Sequence, residues 1–258
     1  MPKPFQILAL HGFTGVGEDF SYLAETTAEM IDWHLPNLPG HGPIPTLDCS
    51  PKATIDCVEQ ARLTIDPSSK RVLLGYSMGA RAALLHALAY SNAWDALILI
   101  SVNPGIEGED ARAKRRLSDG LLAQKIESEG IEAFLEYWQA QPTIKSQSTI
   151  PESNRLIMQR NRLLQTPNGL ADSLRQFGQG SFPDLWPQVS NSGIPTLLVT
   201  GEMDRKYSDI SCRLHKLLQQ SSIGSIPRSG HSPHLEAPEL FADLLINWLS
   251  SKAPNQQR

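Results

Sequence analysis

The chain lacks any apolar run long enough to cross a membrane. Its longest uninterrupted ones, Ile7 to Leu10 and Ala96 to Ile100, fall far below the ~18 residues a spanning helix requires. The N-terminal segment reaches His11-Gly12 before a signal-type apolar stretch develops, so neither membrane insertion nor export is expected. Cysteine is scarce. Cys49, Cys57 and Cys212 are odd in number, scattered and without C-x-x-C spacing; this argues against a disulfide framework and a zinc site, and predicts a cytoplasmic, reducing setting. Basic charge is not in excess either: 23 Lys and Arg against 27 Asp and Glu give a formal net charge of −4. With no long basic run, a nucleic-acid partner is not expected. There is no internal repeat, and only the tail, 252–258, is expected to fray.

What is present suits one globular domain of the larger α/β type: 258 residues, 40% hydrophobic and 19% charged. Apolar runs at Phe5–Leu10, Ile31–Leu35, Arg71–Tyr76, Ala96–Val102, Thr196–Thr200 and Ser222–Ile226 read as strands, with amphipathic stretches between them. That alternation predicts a mostly parallel sheet covered by helices on both faces, whose ligands bind beyond the carboxyl ends of the strands. From about Glu107 to Pro187 the alternation stops. This stretch is rich in Arg, Glu, Gln and Leu and has helical spacing at Leu117, Leu121, Leu122, Ile126 and again at Ile131, Phe134, Leu135, Trp138. It predicts a cap of several short helices (107–187) inserted between two parts of a core, 1–106 and 188–258.

Gly75-Tyr76-Ser77-Met78-Gly79 stands where a predicted strand gives way to a helix. A G-x-S-x-G sequence in that setting predicts a nucleophile elbow, a sharp turn that lifts the serine Oγ out of the sheet and aims the next amide, that of Met78, at a developing oxyanion. Serine needs an imidazole to take its proton, and the imidazole needs an acceptor on its other nitrogen. Asp204, just past the fifth strand, and His231, after the sixth, supply these in the order Ser, Asp, His. Glu202 is the competing carboxylate, in a poorer position. Among the other histidines, His34 and His86 read as structural, His215 as a helix-surface residue, His234 as a neighbour of the site, and His11 and His41 as turn builders. A second oxyanion donor is expected from the amide of Phe13, after the first strand. Gly12, Gly15 and Gly17 do not follow the dinucleotide pattern, and no organic cofactor or metal is called for.

Arg81 lies one helical turn beyond Ser77, and Arg112, Lys114, Arg115 and Arg116 open the inserted segment, with Arg160, Arg162, Arg205 and Lys206 further along. Guanidinium groups bind carboxylates through paired hydrogen bonds. If they converge, the substrate is a small polycarboxylate; if not, the 112–116 cluster is a solvated helix face.

Taken together, these residues resemble the 2-succinyl-6-hydroxy-2,4-cyclohexadiene-1-carboxylate synthases, lyases with the α/β-hydrolase fold in menaquinone and phylloquinone biosynthesis. The resemblance extends over almost the whole chain. It rests on His11-Gly12-Phe13-Thr14-Gly15, Leu38-Pro39-Gly40-His41-Gly42, Gly75 to Arg81, Asn103-Pro104-Gly105 followed by Arg112 and Arg115, Tyr137-Trp138-Gln139, Gly201 to Asp204 with Lys206, and Gly230-His231 with His234 and Glu236. It implies a triad of Ser77, Asp204 and His231. Arg81, Arg115 and either Arg160 or Arg162 would hold substrate carboxylates, and Tyr76, Tyr137 and Trp138 would line the pocket. Asn103 stands where some members have His, and an N-terminal hairpin of many relatives is missing.

The implied reaction is elimination of pyruvate from 2-succinyl-5-enolpyruvyl-6-hydroxy-3-cyclohexene-1-carboxylate. Ser77, activated by His231, would act as a base on a ring proton, with the Phe13 and Met78 amides stabilising charge on the adjacent carboxylate. The same triad also serves a carboxylesterase or a carbon–carbon bond hydrolase, and the fold alone permits a non-catalytic receptor.

Overall fold

Six apolar segments, each closed off by turn residues, make one sheet. They are β1 (Phe5–Leu10), β2 (Ile31–His34), β3 (Lys70–Tyr76), β4 (Ala96–Ile100), β5 (Thr196–Gly201) and β6 (Ser221–Ile226). The computed structural model describes residues 3–252; the predicted fraying of the tail therefore falls, beyond Lys252, outside the described residues. The strand order is β2-β1-β3-β4-β5-β6 and every pairing is parallel. β4 ends at Ile100 and not at Val102, because Ser101 turns to a φ of 50° and leaves the sheet.

Parallel strands need crossover connections, and helices supply them. In chain order these are α1 (Ser21–Thr26), α2 (Pro51–Arg62), α3 (Met78–Ala89), α4 (Glu109–Gln139), α5 (Glu152–Leu163), α6 (Pro167–Phe177), α7 (Arg205–Leu217), α8 (Pro233–Glu236) and α9 (Pro238–Lys252). Their starts are legible in the sequence: Ser50 before Pro51 and Thr166 before Pro167 cap α2 and α6 by accepting from Ala53 N and Gly169 N. Alternate strand residues face opposite ways. Leu8, Leu10, Leu73, Leu97 and Leu99 pack on one side with α3, while Phe5, Ile7, Val72, Leu74, Ile98 and Ile100 pack on the other with α9. Burial on both faces explains why these strands read as continuous apolar runs.

Between β4 and β5 the chain is helical, as expected, but its first element is longer than predicted. α4 continues to Gln139 across a break at Gly130, whose φ of 82° and ψ of 178° are not helical. Its buried side is set by Ala123, Ile126, Phe134 and Leu135, which pack on Leu170, Ala171 and Leu174 of α6. Leu117 and Leu121 are exposed, contrary to the apolar face assigned to them. The buried stripe instead begins at Asp119, whose carboxylate accepts from Arg115 Nε and Gly180 N; the helix is rotated to bring that pair inward.

The order β2-β1-β3 reverses the direction of winding between β1 and β3. Loops leaving two such strands diverge, which opens a crevice at their carboxyl ends. Leu10 of β1 pairs with Gly75 of β3, so the Phe13 loop and the Ser77 turn start side by side at that crevice.

Candidate active site

Ser77 sits between β3 and α3 with φ 52° and ψ −105°, a conformation that L-residues rarely adopt. Its amide donates to Ile100 O at 2.8 Å. The two glycines are a packing requirement. A Cβ at Gly75 would lie 2.3 Å from Gly79 O, and one at Gly79 would lie 2.0 Å from Leu10 O.

His231 Nε2 lies 3.0 Å from Ser77 Oγ, and its Nδ1 lies 2.7 Å from Asp204 Oδ2. With Asp204 as acceptor, Nδ1 carries the proton and Nε2 is left free to receive one from the serine. Asp204 is also the N-cap of α7, accepting from Tyr207 N at 3.3 Å, so the helix start fixes its carboxylate. Glu202, the competing carboxylate, accepts from Arg228 N and is not on the histidine. The histidine loop is held by the buried Glu236, which accepts from Gly230 N at 2.6 Å and Ser232 N at 2.9 Å. Ser101, at its positive φ, donates through Oγ to His231 O.

These groups open onto a cavity of about 310 Å³. Phe13, Tyr76, Ser77, Met78, Arg81, Lys206, Tyr207 and His231 line it from the sheet side, and Arg115, Trp138, Gln147 and Arg162 from the inserted helices. The structure thus gathers most of the residues singled out in the sequence around one cavity.

The cationic residues divide clearly. Arg81 is buried; it donates to Phe177 O at 2.7 Å, and its guanidinium lies 5.3 and 5.1 Å from the ring centres of Phe177 and Phe182. Burial lowers its pKa to about 10, which still leaves it a cation at neutral pH. Arg115 reaches the cavity beside its partner Asp119. Arg162 is buried on α5, donates to Gln147 Oε1 at 2.7 Å, and has a buried Nε with no partner. Its neighbour Arg160 is exposed, pairs with Glu18 at 2.6 Å and does not line the cavity. Of the two arginines left open in the sequence, one helix turns Arg162 inward and Arg160 outward. Arg112 and Arg116 pair with Glu109 on the surface, so within 112–116 only Arg115 faces the cavity.

The aromatic pair divides in the same way. Trp138 lines the cavity with its ring 5.3 Å from that of Phe13. Tyr137 does not, contrary to expectation; it is exposed under Lys125 Nζ, because adjacent helix positions lie about 100° apart. Tyr76 OH is 2.6 Å from Ser232 Oγ, which also accepts from Gln147 Nε2 at 2.8 Å. Gln147 therefore ties Arg162 to the residue after His231.

His11 accepts from Leu38 N on Nε2 and has Gly12 O beside Nδ1, the hydrogen-bonding role expected of it. Burial lowers His11 to about 4, His41 to about 3 and His234 to about 3. All three are neutral at pH 7. Asp19, Gln147, Ser232 and Gln179 were not anticipated at the site. Asp19 had a signal, since it closes the glycine-rich loop after β1, whereas Gln147 lies in a single 3₁₀ turn, Lys145–Thr149, with none.

Among the described residues no group of three or more His, Cys, Asp or Glu side chains is placed to hold a metal ion, and no helix is long and apolar enough to cross a membrane.

Comparison with known proteins adds three findings. A model of the alpha/beta hydrolase family matches residues 7–244. A Bacillus subtilis (strain 168) protein named putative 2-succinyl-6-hydroxy-2,4-cyclohexadiene-1-carboxylate synthase is 35% identical over 95% of this chain and 90% of its own length, and the Photorhabdus laumondii synthase of that name is 28% identical over 93% and 84%. The solved structure of MenH from S. aureus superposes with a TM-score of 0.88 at 28% identity, covering 98% of this chain and 96% of that one.

Proposed function

The chain belongs to the alpha/beta hydrolase family and, within it, to the 2-succinyl-6-hydroxy-2,4-cyclohexadiene-1-carboxylate synthases, and from that membership we infer that it is a lyase acting on a small molecule. It eliminates pyruvate from 2-succinyl-5-enolpyruvyl-6-hydroxy-3-cyclohexene-1-carboxylate. The observation that carries this reading at the site is the hydrogen-bonded series Ser77–His231–Asp204 facing the same cavity as Arg81, Arg115 and Arg162.

The names of substrate and product fix the chemistry. The ring gains a double bond between carbons 2 and 3, the existing one moves to carbons 4 and 5, and the C5–O bond breaks. The hydrogen lost is the one on carbon 2, next to the succinyl carbonyl. We propose that Ser77 Oγ removes it while passing its own proton to His231 Nε2, and Asp204 stabilises the imidazolium. Charge develops on the succinyl carbonyl oxygen, and not on a carboxylate as first expected, and the amides of Phe13 and Met78 are its proposed donors. The electron pair moves through the ring and leaves on the enolpyruvyl oxygen, which takes the proton back from His231 and departs as the enol of pyruvate; this then tautomerises to pyruvate, its methylene carbon gaining a proton from water as the hydroxyl loses one.

The remaining roles are assigned by the same reasoning. Arg81, Arg115, Arg162 and Lys206 hold the substrate's carboxylates, Tyr76 and Trp138 contact its ring, and residues 107–187 act as a cap over a core formed by 1–106 and 188–258. Three free thiols favour a reducing, cytoplasmic setting.

The test is pyruvate release from the enolpyruvyl compound, generated in situ by the enzyme that makes it, with the Ser77→Ala variant as control. Release that depends on Ser77 supports the lyase; release no faster than the spontaneous background refutes it.

A further inference from the structure

A carboxyl group lines the cavity assigned above to a polycarboxylate. Asp19, in the turn Gly17–Phe20, is half-buried in the cavity wall, where a fixed negative charge would repel the substrate. The surrounding chain is shaped to keep it there. Asn161 Nδ2 donates to Oδ1 at 2.8 Å, Val16 N donates to Oδ2 at 3.2 Å, and Gly15 leaves the space for it, since a Cβ there would lie 2.5 Å from Oδ2. Arg162 follows Asn161 on the same helix and faces the same cavity, yet no ion pair joins it to Asp19; its one bonded nitrogen goes to Gln147, and its Nε is free.

We propose that Asp19 is a substrate-binding residue: it takes up a proton from solvent as a substrate carboxylate docks against Arg162, and then donates a hydrogen bond to that carboxylate. The proton returns to solvent on product release, and no covalent bond to the substrate is involved. The proposal rests on the reading of the cavity as a polycarboxylate site.

The groups around Asp19 set the direction. Its own turn contributes Glu18, which repels, and α5 contributes Arg162, which attracts, and Arg160, which is engaged with Glu18. β1 carries no ionisable side chain; on α1, Tyr22 donates to Glu239 and Glu25 is exposed. Across the cavity, Tyr76 and His234 are uncharged at neutral pH, since burial raises the first and lowers the second. Burial is the dominant influence on Asp19 itself, pushing its carboxyl up to about 6 against the hydrogen bond from Asn161 and the charge of Arg162. A second negative charge beside it raises it further. Affinity that depends on this proton falls as pH rises above the free carboxyl's range.

The experiment is the KM for the enolpyruvyl substrate between pH 6 and 8, in the wild-type protein and in Asp19→Asn, which keeps a donor and cannot ionise. The wild-type KM is expected to rise with pH, at most about tenfold per unit, while the KM of D19N stays near its pH 6 value. The ratio of the two cancels any contribution of His231. A second variant, Asn161→Ala, removes a bond that favours the charged form, so the onset of the rise moves to higher pH. A wild-type to D19N ratio that is flat across the range, or an onset unmoved in N161A, overturns the role of Asp19 while leaving the lyase intact. A wild-type protein without Ser77-dependent activity overturns both.

Discussion

Arg162 donates to Gln147 Oε1 at 2.7 Å and leaves its buried Nε without a partner. Burying a cation with donors unmet is costly unless something arrives to meet them. The site therefore holds binding energy in reserve for an anion. Replacing Arg162 by Ala should lower kcat/KM by a factor corresponding to about 2–5 kcal/mol, the range seen when one partner of a desolvated charge pair is removed, with no loss of thermal stability. Arg160→Ala, which removes an exposed ion pair with Glu18, should change both by less than about 1 kcal/mol. Steady-state kinetics and melting curves of the two variants check this, and equal effects would show that the cavity-facing arginine has been misassigned.

Ser77 and Asp204 separate chemistry from folding. Ser77→Ala removes the proposed base and should lower kcat by about 10²–10⁴, and Asp204→Asn should cost on the order of 10⁴ by allowing the wrong histidine tautomer. Neither should raise stability. Ser77→Gly is different, because the φ of 52° suits glycine; it should be as inactive as S77A but more stable by about 1 kcal/mol. Denaturant midpoints measured on all three would show whether the elbow stores strain.

Trp138 and Tyr137 are neighbours in sequence with opposite surroundings, one against Phe13 in the cavity and the other on the surface. Truncating Trp138 to Ala should raise KM by about tenfold, the worth of an aromatic contact of roughly 1–1.5 kcal/mol. The same change at Tyr137 should leave KM within twofold. A larger effect at Tyr137 would mean that α4 presents its other face to the substrate.

The parallel sheet and the turn that carries Ser77 were legible because each rests on a local signal: apolar runs buried on both faces, and a glycine pair that only a tight elbow explains. Ser101 shows where that legibility ends. It reads as a continuation of β4, but its backbone turns to a positive φ and its Oγ donates to His231 O, a bond across 130 residues that no local pattern contains. The inserted helices were harder still. Leu117 and Leu121 carry a helical period as well as Ala123 and Ile126 do, and only the Arg115–Asp119 pair and the packing on α6 decide which face turns inward. The same rotation decides between Tyr137 and Trp138, and that of α5 decides between Arg160 and Arg162. Spacing alone cannot distinguish them, because a helix offers every position a face and tertiary packing chooses among them.

The buried histidines predict how stability responds to acid. His11, His41 and His234 are held neutral down to about 4, 3 and 3, against 6.5 when unperturbed. Below pH 6.5 the unfolded chain binds protons at these positions and the folded chain does not, so stability present above 6.5 is lost as pH falls toward 4. Asp19 acts in the opposite sense. Its folded value of about 6 exceeds the unperturbed 3.8, so between pH 6 and 4 the folded state holds a proton that the unfolded state has released. Three histidines outweigh one aspartate, so these four groups together leave up to two net protons taken up on unfolding across that window. Each net proton is worth about 1.4 kcal/mol per pH unit. Urea denaturation at pH 7, 5.5 and 4.5 should show the midpoint falling at each step, with the loss partly steepened in D19N, which lacks the opposing group. A midpoint constant from pH 7 to 4.5 would mean that these imidazoles reach water in the folded protein.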